Sequence, residues 1–259
     1  MHAATKKVIC FLGLLAIAAC SQDSGGDGDG DGDGDNTADA GPDVDAVAST
    51  SCFDTPKTTA PDPLEIEGTV VTLFGSNPVD AATIEARQRT DDVVVVDQTT
   101  AGDGLFALSI DSGGAPWGGY FAITRTDMFT TYVYFSSSVS ESFTGEEVPL
   151  ADDGDIALMQ TLLGLQIDTT QGMAVVQVFD CDGAPAAGAR ISFAPSGDVI
   201  YTDDNTPDLD ATETDASGGA LGLNLGVGES TVTIEIGDAT VTTAIRAEAQ
   251  SLVGLFVKP

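Results

Sequence analysis

The sequence predicts an all-β protein, and three observations point to it. From Pro63 onward, short β-branched runs are punctuated by Gly, Asp, Asn and Pro, which is how strands and turns alternate in a β-sandwich. These runs fall into two clusters. The clusters also resemble each other, which is the mark of an internal duplication.

The strands are expected at 65–74, 82–88, 93–97, 104–110, 119–125 and 130–136, and again at 173–180, 187–193, 198–201, 219–225, 229–236, 239–245 and 251–257. Alternate residues of each strand should face a core, among them Val71, Leu73, Phe106, Leu108, Ile191 and Val232. Between the clusters, Ile156, Met159 and Leu163, with Leu158 and Leu162, follow helical spacing, and Gly164 would close such a helix. A short helix and a further strand fit this connector equally well.

In the duplication, Gly68-Thr69-Val70-Val71-Thr72-Leu73-Phe74 leads through Asn77-Pro78-Val79 to Ala81-Ala82-Thr83-Ile84. Met173-Ala174-Val175-Val176-Gln177-Val178-Phe179 leads in the same way through Gly183-Ala184-Pro185 to Ala187-Gly188-Ala189-Arg190-Ile191. Further on, Thr100-x-x-x-Gly104 matches Thr214-x-x-x-Gly218. A threonine and a glycine at this spacing bracket a tight turn before an alternating strand.

At these residues the chain resembles the carboxypeptidase regulatory-like, transthyretin-like family, whose pattern is a strand, D-x-x-G-x-P-x-x-G-A-x-V, then T-D-x-x-G-x-F. The second copy carries the closer match, through Asp180 to Ile191 and Thr214-Asp215-Ala216-Ser217-Gly218. The first copy departs from it, with Asn77 and Asp80 at glycine positions and Ala101 in place of the aspartate. The resemblance implies two tandem Greek-key β-sandwich domains with no catalytic site of their own, of a kind that serves as a spacer or binding domain. Their expected bounds are 63–150 and 172–259, joined by a connector at 151–171.

The first 62 residues are of another kind. Residues 1–19 carry Lys6 and Lys7 and then an apolar run from Val8 to Ala19, long enough for a secretory signal and too short to span a bilayer. Ile17-Ala18-Ala19-Cys20 resembles the lipobox of bacterial lipoproteins, which implies cleavage before Cys20 and acylation of its thiol. Two or three acyl chains, at about 0.8 kcal/mol per buried CH₂, anchor a protein durably. Ser21 at the next position is, by resemblance to enteric lipoproteins, compatible with the outer membrane. Residues 20–62 then form an acidic linker that includes an Asp-Gly repeat from Gly26 to Asp35. Charge repulsion and glycine entropy predict a disordered tether with a reach of roughly 35 Å for forty residues.

Composition excludes several classes of function. The chain has 41 acidic and nine basic residues; removing the leader takes Lys6 and Lys7, leaving a formal charge of −34. Such a chain repels nucleic acid. The one histidine, His2, leaves with the leader, which excludes Ser-His-Asp and Cys-His catalysis and any zinc site that needs an imidazole. The sequence therefore predicts a non-catalytic protein. Cys10 is lost as well, so Cys52 and Cys181 remain as a candidate disulfide outside the cytoplasm.

Two other places offer candidate sites. Trp117 lies in the glycine-rich stretch 113–119, where an exposed indole, with Tyr120 nearby, could stack on a sugar or peptide; a hydrophobic plug that closes the loop is the alternative. Asp203, Asp204, Asn205, Asp208 and Asp210 share one connection and supply oxygen ligands of the type calcium takes, although solvated loop acids read the same way. The Asp27-x-Asp29-x-Asp31-Gly32 run begins like an EF-hand loop, but its twelfth position is Ala38, where a bidentate Glu is required. No cofactor is expected beyond a calcium ion at the Asp203 loop. The expected function is a lipid-anchored cell-envelope binding, adhesion or scaffolding module whose partners are the membrane and an envelope protein or polysaccharide. The alternative is a carbohydrate-binding or calcium-dependent ligand-binding domain.

Overall fold

Along Leu105–Ile110, exposed and buried residues alternate without a break, so that Phe106, Leu108 and Ile110 point inward while Leu105 stays 53% exposed. That period of two recurs through most of the chain, and it is what makes the fold all-β. The structure, a computed structural model, describes residues 52–53, 56–195, 197–204 and 206–258.

In order, the elements are β1 (Leu64–Thr72), β2 (Thr83–Gln88), β3 (Val94–Thr99), β4 (Leu105–Ile110), β5 (Gly119–Thr124), β6 (Thr130–Phe135) and β7 (Phe143–Leu150); the helix α1 (Asp153–Leu163); then β8 (Gly172–Val178), β9 (Ala189–Ala194), β10 (Asp198–Asp203), β11 (Thr206–Asp208), β12 (Gly219–Leu225), β13 (Gly228–Ile236), β14 (Ala239–Ala247) and β15 (Ser251–Val257).

They form three sheets. Two are three-stranded, ordered β4-β1-β7 and β14-β13-β9, and the third has nine strands, ordered β11-β10-β12-β8-β15-β6-β5-β2-β3. The nine-stranded sheet contains strands of both sequence clusters, so the two sandwiches share one sheet instead of sitting side by side.

β15 makes the joint. It pairs in parallel with β8 on one side, Val253 opposite Ala174, and in parallel with β6 on the other, Val253 opposite Tyr132. All seven of its residues are buried. A strand covered on both faces reads as a continuous apolar run, as Leu252-Val253-Gly254-Leu255-Phe256 does.

The two small sheets cover opposite faces of the large one. Phe121, Ile123, Val133 and Phe256 face β4-β1-β7 in one core, while Tyr120, Ala122, Tyr134, Val253 and Leu255 face β14-β13-β9 in another. A third apolar cluster lies under α1, where Ile156 and Met159 meet Val175, Leu221 and Leu252.

The connector is helical because its ends are well capped. The Asp152 side chain accepts from the Asp155 amide while Asp155 reaches back to the Asp152 amide, and Gly164 closes the helix at φ 64°. Two strands fall where none was expected. β7 carries Gly145, two glutamates and Pro149 in eight residues, and β11 is three residues long. Neither presents the β-branched run that marks a strand in sequence.

The duplication is written into the hydrogen bonds, but in a register three residues from the expected one, with Val70 corresponding to Val178 and not to Val175. In the first copy the Val70 amide donates to the Gly104 carbonyl (2.8 Å) and the Val79 amide to the Val70 carbonyl (2.8 Å). In the second, Val178 donates to Gly218 (2.9 Å) and Ala186 to Val178 (3.0 Å). The copies differ at two strands: β3 pairs with β2, whereas its counterpart β10 pairs with β12, and β11, which pairs with β10, has no counterpart in the first copy.

Candidate functional site

Between the β4-β1-β7 sheet and the β2, β5 and β6 strands opposite, the side chains leave a cavity of about 30 Å³ that opens into a slot of about 510 Å³ when space reaching solvent is counted. Its walls are Phe106, Phe121, Phe135, Phe143 and Phe256 with Ile66, Ile84, Ile123, Val133 and Val148, and its two ionisable residues are Glu146 and Lys258.

A β-bulge places one of them. Strict alternation would put Phe143 and Glu146 on opposite faces of β7. Between them, Gly145 adopts φ 81°, and the pairing with β1 shifts so that Phe143 stands opposite Ile66 and Glu146 opposite Gly68. Three steps on one strand are matched by two on the other, which turns both side chains into the slot. Glycine suits this position because a left-handed backbone is costly for other residues.

Glu146 arrives with one polar atom unsatisfied: its Oε2 is buried and has no hydrogen-bond partner. Burial pushes its carboxyl above the ordinary carboxylate range, and the charge of Lys258 opposes that shift. Lys258 follows β15 and so comes from the other sandwich. Its Nζ stands over the rings of Phe179 (4.9 Å) and Phe256 (5.6 Å). Burial pushes its ammonium below the usual lysine range, while Glu146 and Glu141 hold it up.

On the other face of the shared sheet, tyrosines seal the contact between the sandwiches. Tyr120 and Tyr134 stack at 4.8 Å, and the Arg89 guanidinium lies 5.3 Å above the Tyr134 ring while donating to Thr243 on β14 (3.2 Å). The Tyr120 hydroxyl donates to Asp92, and that of Tyr132 to Glu248 (2.7 Å). Desolvation pushes the Tyr134 hydroxyl up to about 12, and the Tyr120 bond holds the Asp92 carboxyl below its ordinary range. This seam is filled by the protein's own side chains.

Trp117 is not an exposed platform. It is 4% exposed, packs on Phe121 at 5.2 Å, and its backbone bridges Val139 in both directions at 2.8 and 2.9 Å. Its loop is pinned by those bonds, which is why the indole turns inward as a plug. Tyr120 is likewise buried, at the seam. Neither is presented for stacking on a sugar.

The Asp203 loop does not gather its carboxylates. The strands β10 and β11 pair Tyr201 with Asp208 and Asp203 with Thr206, so the acids spread along a hairpin. The Asp204 amide is held by Asp215 (2.7 Å) and the Asp208 carboxylate caps the Asp210 amide (2.9 Å). Among the described residues no group of three or more potential metal ligands converges. Asn205 lies outside the described residues, as do Cys20 and the Asp-Gly run.

Cys52 and Cys181 are joined as a disulfide, with Cα atoms 5.6 Å apart across 129 residues of sequence. The bond ties the start of the described chain to the first turn of the second sandwich, and Phe53 packs against that sandwich's core. No helix among the described residues is long and apolar enough to cross a membrane.

Sequence reasoning missed the slot and both of its charged residues. The traces of it were Thr144-Gly145-Glu146, a glycine at a bulge, and a single lysine ending the apolar run of β15.

No family model matches the chain, and no curated protein matches it. Among solved structures, a 3-chlorocatechol 1,2-dioxygenase from Rhodococcus opacus aligns at 15% identity and TM-score 0.27, covering 36% of this chain and 61% of its own. The TIE protein of Bacillus anthracis aligns at 13% and TM-score 0.27, covering 76% and 34%. The minor pilin GBS52 of Streptococcus agalactiae aligns at 15% and TM-score 0.25, covering 76% and 96%. The chain thus spans less than two thirds of the first two. At these scores the likenesses bear on neither family nor activity.

Proposed function

We propose that the protein is a lipid-anchored binding and scaffolding module of the cell envelope, with no chemistry of its own. One observation carries this reading: the two sandwiches are built around one nine-stranded sheet, and the disulfide fixes Cys52, ten residues before the linker's expected end at residue 62, to that body. A rigid body on a charged tether is suited to presenting a surface at a distance from a membrane. The lipobox-like Ile17-Ala18-Ala19-Cys20 supports the anchor, and the net charge excludes nucleic acid as the partner. An envelope protein or polysaccharide is the partner this architecture suits. Neither the buried Trp117 nor the dispersed acids of the Asp203 loop favour the carbohydrate or calcium alternative.

The test is metabolic labelling of the full-length chain with a clickable fatty acid. Label on the wild type and none on Cys20→Ala is the expected result. Equal label on both would overturn the anchor, and with it the placement at the envelope.

A further inference from the structure

The slot in the first sandwich has the chemistry of a binding site. Its walls are apolar on both sheets, and its polar groups are confined to Glu146 and Lys258. The Glu146 Oε2 is buried without a partner, a state that is costly unless something bonds to it. The two ionisable groups act on each other through space, yet Lys258 does not bond to that oxygen.

The charges narrow the ligand. An anion would meet the Glu146 carboxylate and the field of a mature chain bearing −34. A cation would compete with the Lys258 ammonium, which already occupies the faces of Phe179 and Phe256. What suits an acceptor and a donor lining one apolar slot is a neutral group that can donate to the first and accept from the second. A hydroxyl is the smallest group that does both. Water satisfies the same condition but leaves the phenylalanine walls empty, and apolar space of this kind favours hydrocarbon.

We propose that the slot binds a small neutral amphiphile, an aliphatic alcohol whose hydroxyl donates to Glu146 and accepts from Lys258 while its chain lies among Phe121, Phe135 and Phe143. This deepens the binding half of the function proposed above, but it rests on the slot and not on the anchor. Failure of the lipid labelling would therefore leave it standing, and its own failure would leave the anchor standing.

The chain carries one tryptophan, Trp117, whose ring packs on Phe121 of the slot wall and so reports on it. The whole purified chain is titrated with 1-butanol and, separately, with its isomer methyl propyl ether, which accepts a hydrogen bond but cannot donate one. The expected result is a saturable change in Trp117 emission with 1-butanol and at least ten-fold weaker binding of the ether. Glu146→Leu should abolish the preference between the isomers, Glu146→Gln should keep it, and Val148→Phe, by filling the slot, should abolish saturable binding of both. Far-ultraviolet circular dichroism shows whether each variant is folded, and the wild-type isomer comparison stands without them. A linear response to both compounds, or equal affinity of the wild type for both, would overturn the proposal and leave water as the only occupant of the Glu146 end.

Discussion

The hydroxyl of Thr100 donates to the Val79 carbonyl at 2.8 Å and accepts from the Ala82 amide at 3.0 Å; that of Thr214 donates to Ala186 at 2.7 Å and accepts from Ala189 at 3.0 Å. Both threonines are buried, so each hydroxyl supplies two backbone groups that water cannot reach. Thr100→Val or Thr214→Val keeps the shape but strands those groups. Each should cost about 1–3 kcal/mol in a urea melt, whereas Thr240→Val on an exposed position should cost little. The glycines that follow are fixed as tightly: Gly104 and Gly218 have φ near 70°, and a Cβ on either would stand 2.5 Å from the carbonyl oxygen of Val70 or Val178. Glu146 gives a prediction of opposite sign. Its folded carboxyl binds a proton more readily than the unfolded one, because burial raises its pKa, so stability falls as pH rises through the folded value. Glu146→Gln should therefore melt higher than the wild type at neutral pH and match it in acid below the ordinary carboxylate range. A lower melting temperature at neutral pH would show that attraction to Lys258 outweighs the cost of burial.

At the scale of elements, β15 matters most, since each sandwich loses a neighbour without it. Leu255→Pro removes an amide from the middle of a strand paired on both sides, opposite Tyr134 and Val176. Such a change breaks a ladder hydrogen bond in the middle of a sheet, where proline is not accommodated, and here it should expose Trp117 in the first sandwich although the substitution lies in the second cluster. Trp117 emission unchanged in a folded variant would mean that the first sandwich does not depend on the strand. The strand itself was legible, because seven consecutive residues suited to burial leave little choice. So were β4 and β12, which follow the Thr-x-x-x-Gly turns that recur in both copies, whereas β1 and β8 were legible as apolar runs but not in their mutual register, which differs by three residues. β7 was not legible: its bulge at Gly145 breaks the period of two, and Pro149 and two glutamates weaken its strand character. The slot was hidden for the same reason, since it depends on that bulge and on Lys258, far away in sequence. The pairing of β15 with β6 was hidden by something more general. Which edge a strand chooses is decided by the packing of both faces, and the alternation of Tyr132-Val133-Tyr134-Phe135 states only that β6 has two covered faces.

At the scale of the whole molecule, the shared sheet turns a sequence duplication into one body. The small sheets lie on opposite faces of the large one, Arg89 and the tyrosines bridge the halves, and the disulfide holds the start of the described chain against the second. A single body of this kind keeps its surfaces in fixed relation, which a pair of flexibly joined domains would not. Closing a loop of this length contributes about 5 kcal/mol in the chain-entropy model, and most of that should be lost in Cys181→Ser. The unity of the molecule depends on the continuity of the nine-stranded sheet through β15. Residue-resolved amide hydrogen exchange on the intact, oxidised chain tests it directly. The β15 amides should be among the slowest to exchange, and β5 and β6 should share one protection free energy with β8 and β12, because opening either half breaks the common strand. Two distinct protection levels, with β15 exchanging alongside β8 and β12 while β5 and β6 open independently, would contradict it.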